Sequence, residues 1–400
     1  MKPSFLLLTL CALLSPIHSG AHWPQFRGPE SNGTDNNGEL PSKLSADSSI
    51  AWQIPLPGRG LSSPIILNDR VYVTCSSGPK QQTLHVLCLN AADGHLIWER
   101  TFQATGRTMC HEKTSVAAPS PATDGEHIFA LFSSNDLICL DLAGNLVWFR
   151  GLSLDYPNAS NSLGMSSSLI TADGALIAQV ENDTESFTAG IDVATGANLW
   201  KLDRPRMANW CSPTVLNLPG GKHLAALQSG KGITAVDPRT GQVAWDYKDG
   251  ASTTSSSALS GSVIYAPSHG LTALDFSGAG EPKQLWRAGQ LRPGTASPVI
   301  VSGRIFLMAD SGVLTCGELE TGKRLWQLRT KGPFSATPVA AGNRLLAVNE
   351  KGLAQLVDLS KPEGEVISEL DLNHTVLGTP SLAKEGIYIR GESKLWKLRR

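Results

Sequence analysis

The sequence has no excess of either charge: 34 Lys and Arg stand against 35 Asp and Glu, a formal net charge of −1. A phosphate backbone is gripped by a basic face, so nucleic acid is excluded as the expected partner. Adjacent cysteines, CxxC pairs and a CxxCH are also missing, which removes a vicinal disulfide, a thiol-redox or zinc motif and c-type haem attachment. The apolar run FLLLTLCALL, Phe5 to Leu14, is 10 residues long. Crossing a bilayer as a helix takes roughly 20, so no transmembrane segment is expected.

What is present points to turns and strands. There are 39 Gly and 24 Pro, and hydrophobic residues make up 41% of the chain, enough for a large core with few long helices. Lys2, the apolar run, Pro16 and the small residues Ser19, Gly20 and Ala21 read as an export signal over residues 1–21. The expected location is periplasmic or secreted, with peripheral attachment at the outer membrane as a variant. Residues 22–49 read as an N-terminal extension and 50–400 as one domain. Cys75, Cys88, Cys110, Cys139, Cys211 and Cys316 follow the signal; most lie in apolar strand-like runs, which favours free buried thiols.

One phrase recurs: NAADGHLIW (90–98), DLAGNLVW (141–148), DVATGANLW (192–200), DPRTGQVAW (237–245), DFSGAGEPKQLW (275–286) and ELETGKRLW (318–326). From Trp98 the tryptophans follow at intervals of 50, 52, 45, 41 and 40 residues, the period of propeller blades. Small-residue triplets interleave with them, including SSP at 62–64, PSP at 119–121, SSS at 166–168, CSP at 211–213 and ATP at 336–338, giving eight units in all. Small residues suit a crowded axis and Trp a splayed rim, so the repeat tryptophans are assigned to the core.

The chain ends three strands into the eighth unit, while residues 50–56 form an outer strand with no partner of their own. The expected fold is all-β: an eight-bladed propeller of four-stranded antiparallel blades, its ring closed by strand 50–56 pairing with the C-terminal blade. Seven blades is the alternative, because the unit around residues 357–370 lacks its Trp.

The D-x-x-T-G-x-x-x-W phrase followed by S-P resembles the repeat of the PQQ-like β-propellers over nearly the whole chain after the signal. The opening HWPQFRGPESNG is similar to that of secreted members. The resemblance implies two branches, quinoprotein dehydrogenases holding pyrroloquinoline quinone and Ca²⁺, and BamB-like scaffolds without catalysis. The vicinal disulfide of the first branch has no counterpart here, and Leu10 before Cys11 departs from the lipid-anchor motif usual in the second.

Connections into the inner strands gather at one mouth of a propeller, where a ligand site is expected. Two of them are longer than the rest: TGRTMCHEKTSVAAP and GLSLDYPNASNSLGM, on neighbouring blades. The candidate funnel residues are His111, Glu112 and Lys113 from the first, Asn161 from the second, and Arg59, Arg206, Trp210, Arg292 and His374 just before other inner strands. Arginines converging there would suit carboxylates. No catalytic or metal-binding residue is assigned. The leading expectation is a non-catalytic envelope protein binding another protein or a small ligand at this face, with no cofactor. A periplasmic quinoprotein using pyrroloquinoline quinone and calcium is the alternative, and a carbohydrate-binding or carbohydrate-acting propeller a second one.

Overall fold

The computed structural model describes residues 23–160, 162–278 and 281–400. The segment read from the sequence as an export signal, residues 1–21, falls outside them. The described residues form eight sheets around one axis. In blade one the strands Ile65–Leu67, Arg70–Ser77, Thr83–Asn90 and Leu96–Gln103 follow one another from the axis outward, all antiparallel. The next six blades repeat the meander, with inner strands beginning at Ala122, Ile170, Thr214, Ala258, Val299 and Val339. The unit without a Trp is a complete blade seven, so the ring has eight blades and not seven. Blade eight takes three strands from the C-terminus and its outer strand, Ile50–Pro55, from the N-terminal side, antiparallel to Lys394–Leu398 with Trp52 opposite Lys397.

The recurring phrase is an inter-blade lock. In blade three Asp192 Oδ1 accepts the Thr195 amide at 3.0 Å and its hydroxyl at 2.9 Å, an Asx turn that brings Gly196 to φ +73°. Trp148 of blade two covers that glycine, and a Cβ there would stand 2.7 Å from its ring. The same approach joins Trp52 to Gly94, Trp98 to Gly144, Trp200 to Gly241, Trp286 to Gly322 and Trp326 to Gly364. At blade five Trp245 stacks instead on Phe276, with centroids 3.9 Å apart. Asp, Gly and Trp therefore repeat together because each blade's Trp rests on the next blade's turn.

Blade seven has Ser368 opposite Leu356 where blade six has Trp326 opposite Cys316. The N-terminal extension supplies the missing wedge. Leu40 and Leu44, each 2% exposed, pack into the cluster that holds Leu356, Ile387 and Leu398.

The start of the extension closes the channel below its mouth. Trp23 exchanges main-chain hydrogen bonds with Ile66, Pro24 accepts from Thr123, and Asn32 accepts from Ile300. Arg27 donates to the carbonyls of Ser257 and Pro298, and Thr34–Asp35 runs parallel to Ala340–Ala341. One short segment thus touches the inner strands of five blades. Arg27 is 1% exposed with no carboxylate beside it, and burial lowers its guanidinium to about 9.

Of the six cysteines among the described residues, five are buried and Cys110 is half-buried, and none is in a disulfide there. No helix among the described residues is long and apolar enough to cross a membrane.

Candidate functional site

The small triplets build more than a narrow axis. Their hydroxyl residues form a belt in which each backbone N–H donates to the side-chain oxygen of the next blade. The chain runs from Ser63 to Ser120 (2.8 Å), Ser168 (3.0 Å), Ser212 (2.9 Å), Ser256 (3.0 Å), Ser297 (3.0 Å), Thr337 (3.0 Å) and Thr379 (3.1 Å). Each such bond is worth about 0.5–1.5 kcal/mol net and fixes the stagger of neighbouring blades. The belt corrects the reading of the third triplet: the residues in register are Ser167, Ser168 and Leu169, with Leu169 where most units have Pro. In blade five they are Ser255, Ser256 and Ser257, so the serine-rich stretch 252–262 is a blade and not a linker. The belt opens at ring closure, where Ser63 Oγ, in a residue 1% exposed, has no hydrogen-bond partner among the described residues.

All eight belt residues line a cavity of about 480 Å³, with Phe26 of the N-terminal segment also in its wall. Of the sequence-predicted residues, His111, Lys113 and Trp210 line this cavity. Lys113 Nζ lies 3.0 Å from both carboxylate oxygens of Glu350, which also accepts from Ser335 Oγ at 2.7 Å. The first insertion leaves blade one, whereas Glu350 follows Arg344–Val348 of blade seven, so this ion pair reaches across blade eight at the mouth. Arg59 pairs with Glu392 at 2.7 Å and donates to the Glu112 carbonyl, drawing the same insertion toward blade eight. The Trp210 indole donates to the Gly164 carbonyl at 2.8 Å, holding its ring beside the second insertion.

Of the remaining predicted residues, Arg206, Arg292 and His374 do not converge on the channel. Arg206 lines a separate cavity of about 800 Å³ with Asp183, Glu185 and Lys201. Arg292 is exposed and donates to Gly289 of its own loop at 2.8 Å. His374 packs on Trp396, and burial lowers its pKa, with Lys394 adding to the effect and Glu392 opposing it. Asn161 lies outside the described residues. The arginine funnel is therefore not assembled, because the connections carrying Arg206 and Arg292 turn their side chains to other surfaces.

Glu181, in the acidic turn of residues 181–185, is not a cation ligand in waiting. It is buried against Arg204 at 2.7 Å and accepts from Asn209 at 2.9 Å. Burial raises its pKa, and the Arg204 charge works against that. Among the described residues no group of three or more His, Cys, Asp or Glu is placed to hold a metal ion.

Sequence reasoning missed the belt, Glu350, Asp310 and the role of the N-terminal segment. The belt had a readable signal, since all eight triplets carry Ser or Thr at their second position. Asp310 and Glu350 sit in ordinary hairpin turns and carry no such mark.

Built up from these residues, the chain is an eight-bladed propeller with a hydroxyl-lined channel, closed below by its own N-terminal segment and overhung by two insertions. It belongs to the PQQ-like propeller family whose model is described as outer membrane protein assembly factor BamB, which matches residues 38–164, 158–278 and 271–399. Among curated proteins no sequence matches significantly. Among solved structures the chain is similar to BamB from Moraxella catarrhalis, at 14% identity over 88% of this chain and 97% of that one, with a TM-score of 0.61. It is also similar to the quinohemoprotein alcohol dehydrogenase of Comamonas testosteroni, at 14% identity over 95% and 80% of the two chains, TM-score 0.71. A europium-containing methanol dehydrogenase aligns at 11% identity over 95% and 98%, TM-score 0.74. At these identities the likeness shows the fold alone.

Proposed function

We propose that this protein is an exported, non-catalytic binding propeller of the cell envelope that engages a partner protein through its insertion-bearing mouth. One observation carries the reading. The two most exposed large hydrophobic side chains among the described residues, Leu154 at 70% and Met109 at 59%, lie on the two insertions. Leu163, at 49%, adds a third apolar tip on the second insertion. Apolar side chains left in water beside a polar cavity are the chemistry of a docking face. The BamB-like family membership favours the same conclusion.

The quinoprotein alternative finds less support in the donor set. The charged side chains of the lining are Lys113, Asp310 and Glu350, and Glu350 already holds the Lys113 ammonium. A quinone's carboxylates would meet two carboxylates and one engaged cation. Calcium would have no cluster of oxygen ligands comparable to the sites it prefers.

The test is a calorimetric titration of the mature protein with pyrroloquinoline quinone and Ca²⁺. No saturable heat is expected. Saturable one-to-one binding, lost on Lys113→Ala, would move the reading to an enzyme.

A further inference from the structure

We propose that the channel holds a neutral polyhydroxylated molecule, a mono- or disaccharide, whose oxygens accept hydrogen bonds from the hydroxyl belt and whose ring lies against Trp210. The inference deepens the binding reading and rests on it, naming a ligand class for the channel beneath the docking face.

The belt defines the ligand's hydrogen bonding. Seven of its oxygens already accept a backbone N–H, which leaves each hydroxyl its proton and one further lone pair. Ser120, Ser212, Ser297, Thr337 and Thr379 have no protein acceptor for that proton among the described residues. Ser63 goes further, since its buried oxygen neither donates nor accepts among the described residues. A buried polar group without a partner is rare and points to a missing one. The cavity therefore suits an occupant rich in oxygens that accept these protons and can also donate to the remaining lone pairs.

Charge narrows the choice. An acceptor-rich ligand is either an oxyanion or a neutral polyol. The lining carries Lys113 against Asp310 and Glu350, a formal balance of −1. With its one ammonium already bridged to Glu350, the site repels a free anion, whereas a neutral polyol, which both accepts and donates, matches hydroxyls that keep a proton and a lone pair. Asp310 supplies the acceptor that a sugar hydroxyl needs. Its Oδ1 takes the Thr295 amide at 2.7 Å, and its Oδ2 has no partner among the described residues. Trp210 offers a flat apolar face of the kind a sugar ring's C–H groups cover. The volume, about 480 Å³, equals that of roughly 16 water molecules and lies within the range of small-molecule sites.

The mature protein is titrated with glucose, galactose, maltose and cellobiose, following tryptophan fluorescence and heat, and is exposed to an array of neutral glycans, with citrate as the anionic control. Saturable binding of at least one neutral sugar is expected, with citrate inert. Ser63→Ala removes a donor that bonds nothing in the protein, so the melting temperature should hold or rise while affinity falls by about fivefold, one hydrogen bond's worth. Asp310→Asn should weaken binding similarly. Absence of binding across sugars and array, binding that neither substitution alters, or a preference for citrate would each overturn the proposal. Partner capture at Met109 that survives such a failure would leave the docking reading intact; loss of both would end it.

Discussion

The amide of Leu44 donates to Ser368 Oγ at 2.8 Å, at the register position where the other complete blades carry the tryptophan wedge. The extension is thus part of the ring and not an appendage. Leu44→Ala should cost about 2–5 kcal/mol, the usual loss for a buried leucine, as read from urea denaturation midpoints. Little or no change would mean that blade seven stands without its borrowed wedge.

The Trp and Gly lock predicts a contrast between two glycines that both have positive φ. Gly196, at +73°, faces the Trp148 ring, whereas Gly261, at +57°, faces open space. Gly261→Ala should cost about 1–2 kcal/mol for the left-handed backbone alone. Gly196→Ala adds displacement of an indole, another 1–3 kcal/mol or so. Equal losses would show that the turn conformation, and not the inter-blade contact, explains the repeat.

The N-terminal segment gives a third expectation. Trp23 is 1% exposed, and Gly28 lies under its ring, where a Cβ would stand 2.8 Å away. Trp23→Ala should destabilise the protein by about 3–5 kcal/mol. Hydrogen exchange should then rise first at residues 23–35 and at Ile66, before the outer strands.

A fourth concerns pH. Burial holds the folded-state pKa of His374 below that of the unfolded histidine, near 6.5. Below that pH the unfolded chain takes up a proton that the folded chain resists, so stability present at pH 7.5 is lost as pH falls through 6.5 and below. His374→Gln should reduce the difference in melting temperature between pH 7.5 and 5.5. An unchanged difference would place the loss on other groups.

The fold was legible because propeller geometry repeats a side-chain requirement eight times, and even the borrowed outer strand at residues 50–56 showed itself through Trp52 and the short C-terminus. The site was only half legible. His111, Lys113 and Trp210 reached the cavity because they lie on or beside the insertions that overhang it. Arg206 and Arg292 did not, since position before an inner strand fixes which face a loop is on but not which way its side chains turn. Ser63 and Glu350 gain their meaning only from ring closure, where residues distant in sequence become neighbours, 237 positions apart for Lys113 and Glu350 and 333 for Arg59 and Glu392.

The most direct measurement places a photo-crosslinking residue at Met109 or Leu154 in the full chain, with Leu285 and Leu325, exposed on outer strands, as controls. The account predicts a discrete adduct with the same envelope protein from both insertion positions and none from the controls. No adduct at either insertion, or equal labelling at all four positions, would contradict a binding face at the mouth.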